Sequence, residues 1–349
     1  MAVEPLLSTR AQRAFVGTIV LQAIVVLVMV AITFAFVEPD VDYTITRYKT
    51  LPCYLALFAL AEIFELVMTF DALRLRNVIQ LIGILLFHMG LTVMAALQIH
   101  ETRTALVWDS GSVLNTSGPG SLWHKVLPFL VVTPIVIGVA WFVMLYFFRH
   151  LYYEFGWAIF HVVGADPKMK TMYQYYQILI CLLKFDFFAF TGVTMQLLII
   201  VLRENSAEFG LTVAAIPIVL ILLALSGIAV QREIKWLMSI SLILMLAAQT
   251  YFIYKLVRFY EPSSDQQYLS TRATLTVFTI AASLLLFATF GMGVRCFADF
   301  DKGLDKSKLH DVTTGPRYSS YIFDPAGEKH TRKPSYSAGV EMAQRISIE

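Results

Sequence analysis

The run AFVGTIVLQAIVVLVMVAITFAFV, Ala14 to Val37, holds no Asp, Glu, Lys or Arg. Crossing the hydrocarbon of a bilayer takes about 20 mostly apolar residues, and only a helix satisfies its own backbone there, so this run predicts a transmembrane helix. It is too long for the core of a cleaved signal peptide. Its end, FAFVEPD, offers no small-residue cleavage site, so it reads as an uncleaved signal anchor. The pattern recurs at Pro52–Phe70, Val78–Ile99, Val126–Phe148, Tyr173–Leu202, Phe209–Val230, Ile234–Phe259 and Ala273–Val294. The predicted fold class is therefore all-α: a polytopic transmembrane helix bundle of about eight spans. Residues 1–13 form a cytosolic N-terminus, 14–296 the bundle, and 297–349, polar and Pro/Gly-punctuated, a disordered cytosolic tail.

Composition agrees. Of 349 residues, 58% are hydrophobic and only 15% charged, with a mean hydropathy of +0.68, which is the range of integral membrane proteins. A formal charge of +2 supplies no basic field for nucleic acid, and no RNA- or DNA-binding signature is present. Cys53, Cys181 and Cys296 match no zinc or redox spacing, and three is too few for a disulfide framework; Cys296, just past the last span, sits where palmitoylation occurs. No G-x-S-x-G, P-loop, G-x-G-x-x-G or H-E-x-x-H motif stands in a usable context. Haem would need facing histidines, and only His88 lies mid-span. No enzymatic activity, cofactor or metal is expected.

An even number of spans puts both termini on one side. The N-terminus, the even-numbered loops and the proximal tail carry Arg10, Arg13, Arg74, Arg76, Arg149, Lys168, Lys170, Arg232, Lys235, Arg295 and Lys302. The opposite side carries fewer cations, a bias that predicts cytosolic termini. The sequon Asn115–Ser117 falls in the longest loop of the other side, which makes Asn115 a glycosylation candidate. Ser335 and Ser347 follow basic residues in the tail and are phosphorylation candidates that would alter partner binding. The expected partners are membrane lipid and a cytosolic partner of the C-terminal tail.

Ionisable residues inside spans cost about 2.5–3.5 kcal/mol each at a helix centre, so each one asks for a partner or a cavity. This chain has Glu62 and Glu65 in the second span, His88 in the third, and Lys184 and Asp186 in the fifth; Gln22, Gln177, Gln196 and Gln249 add uncharged polar groups. From a rise of about 1.5 Å per residue, the Glu62/Glu65 and Lys184/Asp186 pairs lie at matching depths of roughly 9–13 Å. Glu62 and Glu65 share a helix face, whereas Lys184 and Asp186 point about 160° apart. The expectation is that Lys184 bonds Glu65 or Glu62, that Asp186 faces another helix or a wet cavity, and that His88 is a further partner. One reading of such a cluster is a buried interhelical salt bridge that fixes packing. Another is a transporter or ion-coupled carrier, in which Lys184→Met or Glu65→Gln abolishes flux. The alternative is a receptor-like or scaffold protein that binds partners through its cytosolic loop and tail.

That loop, RHLYYEFGWAIFHVVGADPKMKTMYQYYQ, Arg149–Gln177, is too apolar to be free. Tyr152, Tyr153, Phe155, Trp157 and Phe160 are of the class that settles at headgroups. Leu151–Val163 reads either as a short interfacial helix or as an extension of the fourth span. Gly164 and Asp166 suit caps around a break, and Pro167 suits the first position of the fifth helix.

The run FGWAIFHVVGADPKMKTMYQYYQILICLLKFDFFAFTG, with DALRLRNVIQLIG after the second span and CFADFDKGL after the last, resembles an uncharacterised fungal multi-pass Golgi apparatus membrane protein family. Asp299 departs from the asparagine of that pattern. The resemblance implies a Golgi or endomembrane location and a polytopic topology, and it brings no assigned activity.

Overall fold

A computed structural model of the chain describes residues 7–40, 46–107, 121–163, 167–201, 207–261 and 272–302. Asn115, Ser335, Ser347 and the Gly164–Asp166 break lie outside these residues, as does the tail from residue 303 onward. Among the described residues eight α-helices follow one another: α1 Arg10–Val37, α2 Thr50–Leu75, α3 Val78–Val107, α4 Leu122–Val163, α5 Pro167–Gln196, α6 Ala207–Gln231, α7 Lys235–Arg258 and α8 Arg272–Ala298. Among the described residues there is no strand. Seven of the helices are long and apolar enough to cross a membrane; α6 offers a shorter described apolar stretch, Ile216–Gln231.

The helices outrun the predicted spans because hydropathy marks only the lipid-immersed part. Of the two readings of Leu151–Val163, the extension holds: α4 continues unbroken from Leu122 through Val163. Phe155 of that extension is buried, while Tyr152 and Tyr153 are exposed. Thr9 and Gln12, at the start of α1, clasp it by donating to Glu154, at 3.2 and 2.6 Å. α5 begins at Pro167, whose missing N–H costs nothing in a first turn.

Burial is inverted relative to a water-soluble bundle. Leu21, Phe142, Ile243, Leu284 and Phe287 face outward, each about two-thirds exposed, while Glu62, Glu65 and His88 are at most 1% exposed. Apolar side chains that cost free energy in water cost none against lipid tails, so helix association here rests on close packing and internal hydrogen bonds.

Packing sorts the helices into two sets with the same connectivity. α1 packs on α2 and α4, and α3 on α2 and α4; α5 packs on α6 and α8, and α7 on α6 and α8. In each set the second and third helices meet in a tight hairpin. Arg76 (φ 50°) and Glu233 (φ 53°) take the left-handed conformation there. Asn77 N–H then reaches back to the Ala72 carbonyl and Ile234 N–H to that of Ala229, which closes the spent helix end. The sets meet where α5 packs on α2 and α3, with α3 also touching α8. Gly83 allows the closest approach: a Cβ there would lie 2.6 Å from the Phe185 ring. Beside it Phe64, Phe87, Phe185 and Phe188 interlock at centroid distances of 4.8–5.8 Å.

Candidate functional site

The five ionisable residues that the sequence singled out go to three places. The first is the interior of the α1–α4 set. Gln22 of α1 donates to Glu62 Oε1 of α2 at 2.6 Å. One turn along α2, Glu65 Oε1 lies 2.7 Å from His88 Nδ1 of α3, and His88 Nε2 lies 2.9 Å from the Ile137 carbonyl of α4. The carbonyl can only accept, so Nε2 carries a hydrogen. The Nδ1 contact then admits two forms: a neutral imidazole accepting from a protonated Glu65, or an imidazolium donating to the carboxylate. Both hold the same two protons and both are neutral as a pair. A pair with no net charge explains how Glu65 and His88 stand at 0% exposure amid helices.

The second place corrects an expectation. Lys184 reaches α2, but its partner is Asp71, with Gln80 Oε1 of α3 accepting at 3.1 Å, and neither Glu62 nor Glu65. Gln80 also donates to Asp71 Oδ2 at 2.9 Å and to the Met68 carbonyl at 2.9 Å, which braces the acceptor. Two physical reasons account for the shift. The slot beside Glu65 is filled by His88. A lysine also bends its long stem toward the membrane margin, where charge is cheaper. Lys184 and Asp71 are accordingly about one-third exposed, at 30% and 35%.

The third place is in the α5–α8 set. Asp186, 5% exposed, turns away from Lys184 as the helical geometry requires, and its Oδ2 lies 2.5 Å from the Thr289 hydroxyl of α8. That hydroxyl is also 3.0 Å from the Leu285 carbonyl. Asp186 lines a partly open cavity of about 70 Å³ between α5, α6, α7 and α8. Ser226 of α6 and Ser241 of α7 are its other polar side chains, and Phe190, Phe252 and Leu286 are among its apolar walls. Among the described residues neither lysine nor arginine nor histidine lines it.

A fourth constellation escaped the sequence reading. Glu101 of α3, 3% exposed, accepts from the Tyr54 hydroxyl of α2 at 2.8 Å and from the backbone N–H of Thr274 at 2.8 Å. Thr274 is in the first turn of α8, so Glu101 satisfies one of the four N–H groups that a helix start leaves open, and its charge suits the positive end of the dipole. The span expected to end at Ile99 continues to Val107. Buried Ala95, Gln98, Glu101, Thr102 and Ala105 recur at three- and four-residue intervals, the signal that would have revealed it. With Lys184–Asp71 at the opposite end of α2, this contact gives the junction between the sets a polar tie at each end.

Of the polar groups predicted as helpers, Gln249 of α7 donates to Ser283 of α8 at 2.6 Å, while Gln177 and Gln196 are buried. Cys296 is buried as well, so its thiol is not presented for acylation.

The chain is 30% identical over 274 residues to a protein of Schizosaccharomyces pombe described as a UPF0658 Golgi apparatus membrane protein; the similarity covers 73% of this chain and 77% of that relative. No family model matches the chain, and no solved structure does.

Proposed function

Because this chain belongs to the UPF0658 family of Golgi apparatus membrane proteins, we propose that it works in that membrane as an ion-coupled carrier, with Asp186 as the residue that takes up and releases a proton. All eight helices cross in this reading, and both termini are cytosolic, as the distribution of Arg and Lys favours.

One observation carries the proposal: Asp186 has a cavity beside it and a partner suited to both of its charge states. Ionised, it accepts from Thr289, whose single hydroxyl proton then leaves the Leu285 carbonyl. Protonated, it donates to the Thr289 oxygen while Thr289 donates to Leu285. The change costs one hydroxyl rotation and moves no helix. Glu65 differs, because His88, itself held by the Ile137 carbonyl, already occupies the position beside it. Intramembrane carboxylates that face a cavity are the usual relay groups of carriers.

The test uses the purified full chain in liposomes that hold an imposed pH gradient and an entrapped pH-sensitive dye. The unaltered protein collapses the gradient faster than protein-free liposomes, Asp186→Asn falls to the protein-free rate, and Lys184→Met stays close to the unaltered rate. That last expectation follows because a third-exposed ion pair contributes only about 0–1 kcal/mol to the fold. A collapse by Asp186→Asn as fast as that of the unaltered chain refutes the assignment, and so does an unaltered chain no faster than bare lipid.

A further inference from the structure

Resting on that reading, we infer that the cavity beside Asp186 takes the ammonium end of an organic amine whose body is apolar. Ionised, Asp186 calls for a counter-charge, and among the described residues the cavity wall supplies no basic side chain. Lys184, two residues away, is turned to the other side of α5 and bonded to Asp71 and Gln80. A positive charge must therefore come from outside the protein, either as the proton discussed above or on a solute. An anionic solute would meet only the carboxylate.

The remaining wall narrows the class of cation. Calcium takes six to eight oxygen ligands and magnesium keeps a shell of water, while zinc takes a converging set of Cys, His or carboxylate ligands. The side chains lining this cavity offer oxygen only at Asp186, Ser226 and Ser241, and no three His, Cys, Asp or Glu converge on a common point among the described residues. An ammonium has three N–H donors. Ser226 and Ser241 already donate their hydroxyl protons to the Leu222 and Leu237 carbonyls, both at 2.9 Å, which leaves their oxygens free to accept. Three acceptor side chains thus stand on the wall for three donors.

Size and polarity settle the rest. An apolar cavity of about 150 Å³ admits a benzene ring, so a space of about 70 Å³ takes an ammonium and the first few carbons attached to it. A sugar or nucleotide would fill far more and would bury hydroxyls or phosphates against Leu223, Leu244, Met245 and Phe252. The cavity is partly open, so the apolar remainder of the amine continues along those side chains and out through the opening.

Equilibrium dialysis of the full chain in detergent micelles tests this with labelled 2-phenylethylamine as probe. 2-Phenylethanol and 3-phenylpropionate serve as competitors that share the ring but not the positive charge. Saturable binding of the amine is expected, with neither competitor displacing it and with at least about tenfold weaker binding in Asp186→Asn, since one charge-assisted hydrogen bond is lost. Ala248→Leu fills the cavity without touching the carboxylate, and it should weaken binding in a protein of unchanged melting temperature. Displacement by the alcohol or the acid, equal binding by both variants, or no saturable binding overturns the amine assignment. Asp186-dependent proton flux without amine binding would overturn the amine and leave the carrier. Amine binding without flux would do the reverse.

Discussion

His88→Ala is expected to destabilise the bundle by roughly 2–6 kcal/mol, measured as denaturation of the purified chain in mixed micelles. Two terms add. Glu65 loses its hydrogen-bond partner at 0% exposure, and an unsatisfied buried polar group costs about 1–3 kcal/mol. Removing the imidazole also opens a space among α2, α3 and α4, and core truncations of that size cost a further ~1–3 kcal/mol where the surroundings cannot collapse. The partner substitution separates these terms. Replacing Glu65 and His88 together with leucine removes both polar groups, and a buried pair exchanged for apolar residues of similar volume is often neutral. The double variant should therefore be more stable than His88→Ala. A double variant at least as damaged as His88→Ala would mean that the pair is required for more than its mutual satisfaction.

Glu101→Ala is expected to cost about 2–3 kcal/mol, and to loosen the start of α8 in particular. The substitution strands the Thr274 N–H at a helix end and takes from the buried Tyr54 hydroxyl one of its two partners, leaving it only the Thr274 hydroxyl. Amide hydrogen exchange across the first turn of α8 should speed up while that of α6 and α7 is unchanged. Glu101→Gln should recover most of the loss. Its carbonyl oxygen still accepts from Thr274, and its amide can donate to the Tyr54 oxygen once Tyr54 donates to Thr274, 2.5 Å away. If glutamine were as damaging as alanine, the negative charge itself would be what α8 needs at that end.

Hydropathy marked the helices, because a membrane span is the longest uniform feature a sequence can carry. It did not place their ends. α3 continues past Ile99 through a polar stretch, and only the three-and-four spacing of its buried residues betrays that. Glu101 was hidden for this reason, and Tyr54 because a tyrosine near a span end reads as a headgroup anchor. The divergence of Lys184 and Asp186 was legible, since it follows from 100° per residue alone. The partner of Lys184 was not. Rise per residue locates Cα atoms, whereas the ammonium sits at the end of a flexible stem that seeks the margin, and the rival bond between His88 and Glu65 is a matter of side-chain geometry across helices. Repeated connectivity in α1–α4 and α5–α8 leaves no trace in the residues either, because lipid-facing positions accept any apolar side chain of suitable size.

The division of labour between these two sets is open to direct measurement. Asp186 exchanges a proton in the proposed function, while Glu62 and Glu65 are hydrogen-bonded to Gln22 and His88. An infrared difference spectrum of the full chain in lipid, recorded between acid and alkaline pH, reports the carbonyl stretch of any buried carboxyl that gains or loses a proton. The band is expected in the unaltered protein and in Glu65→Gln, and Asp186→Asn should lose the component that Asp186 contributes. A spectrum of Asp186→Asn identical to that of the unaltered chain would contradict the assignment of Asp186 as the working proton site.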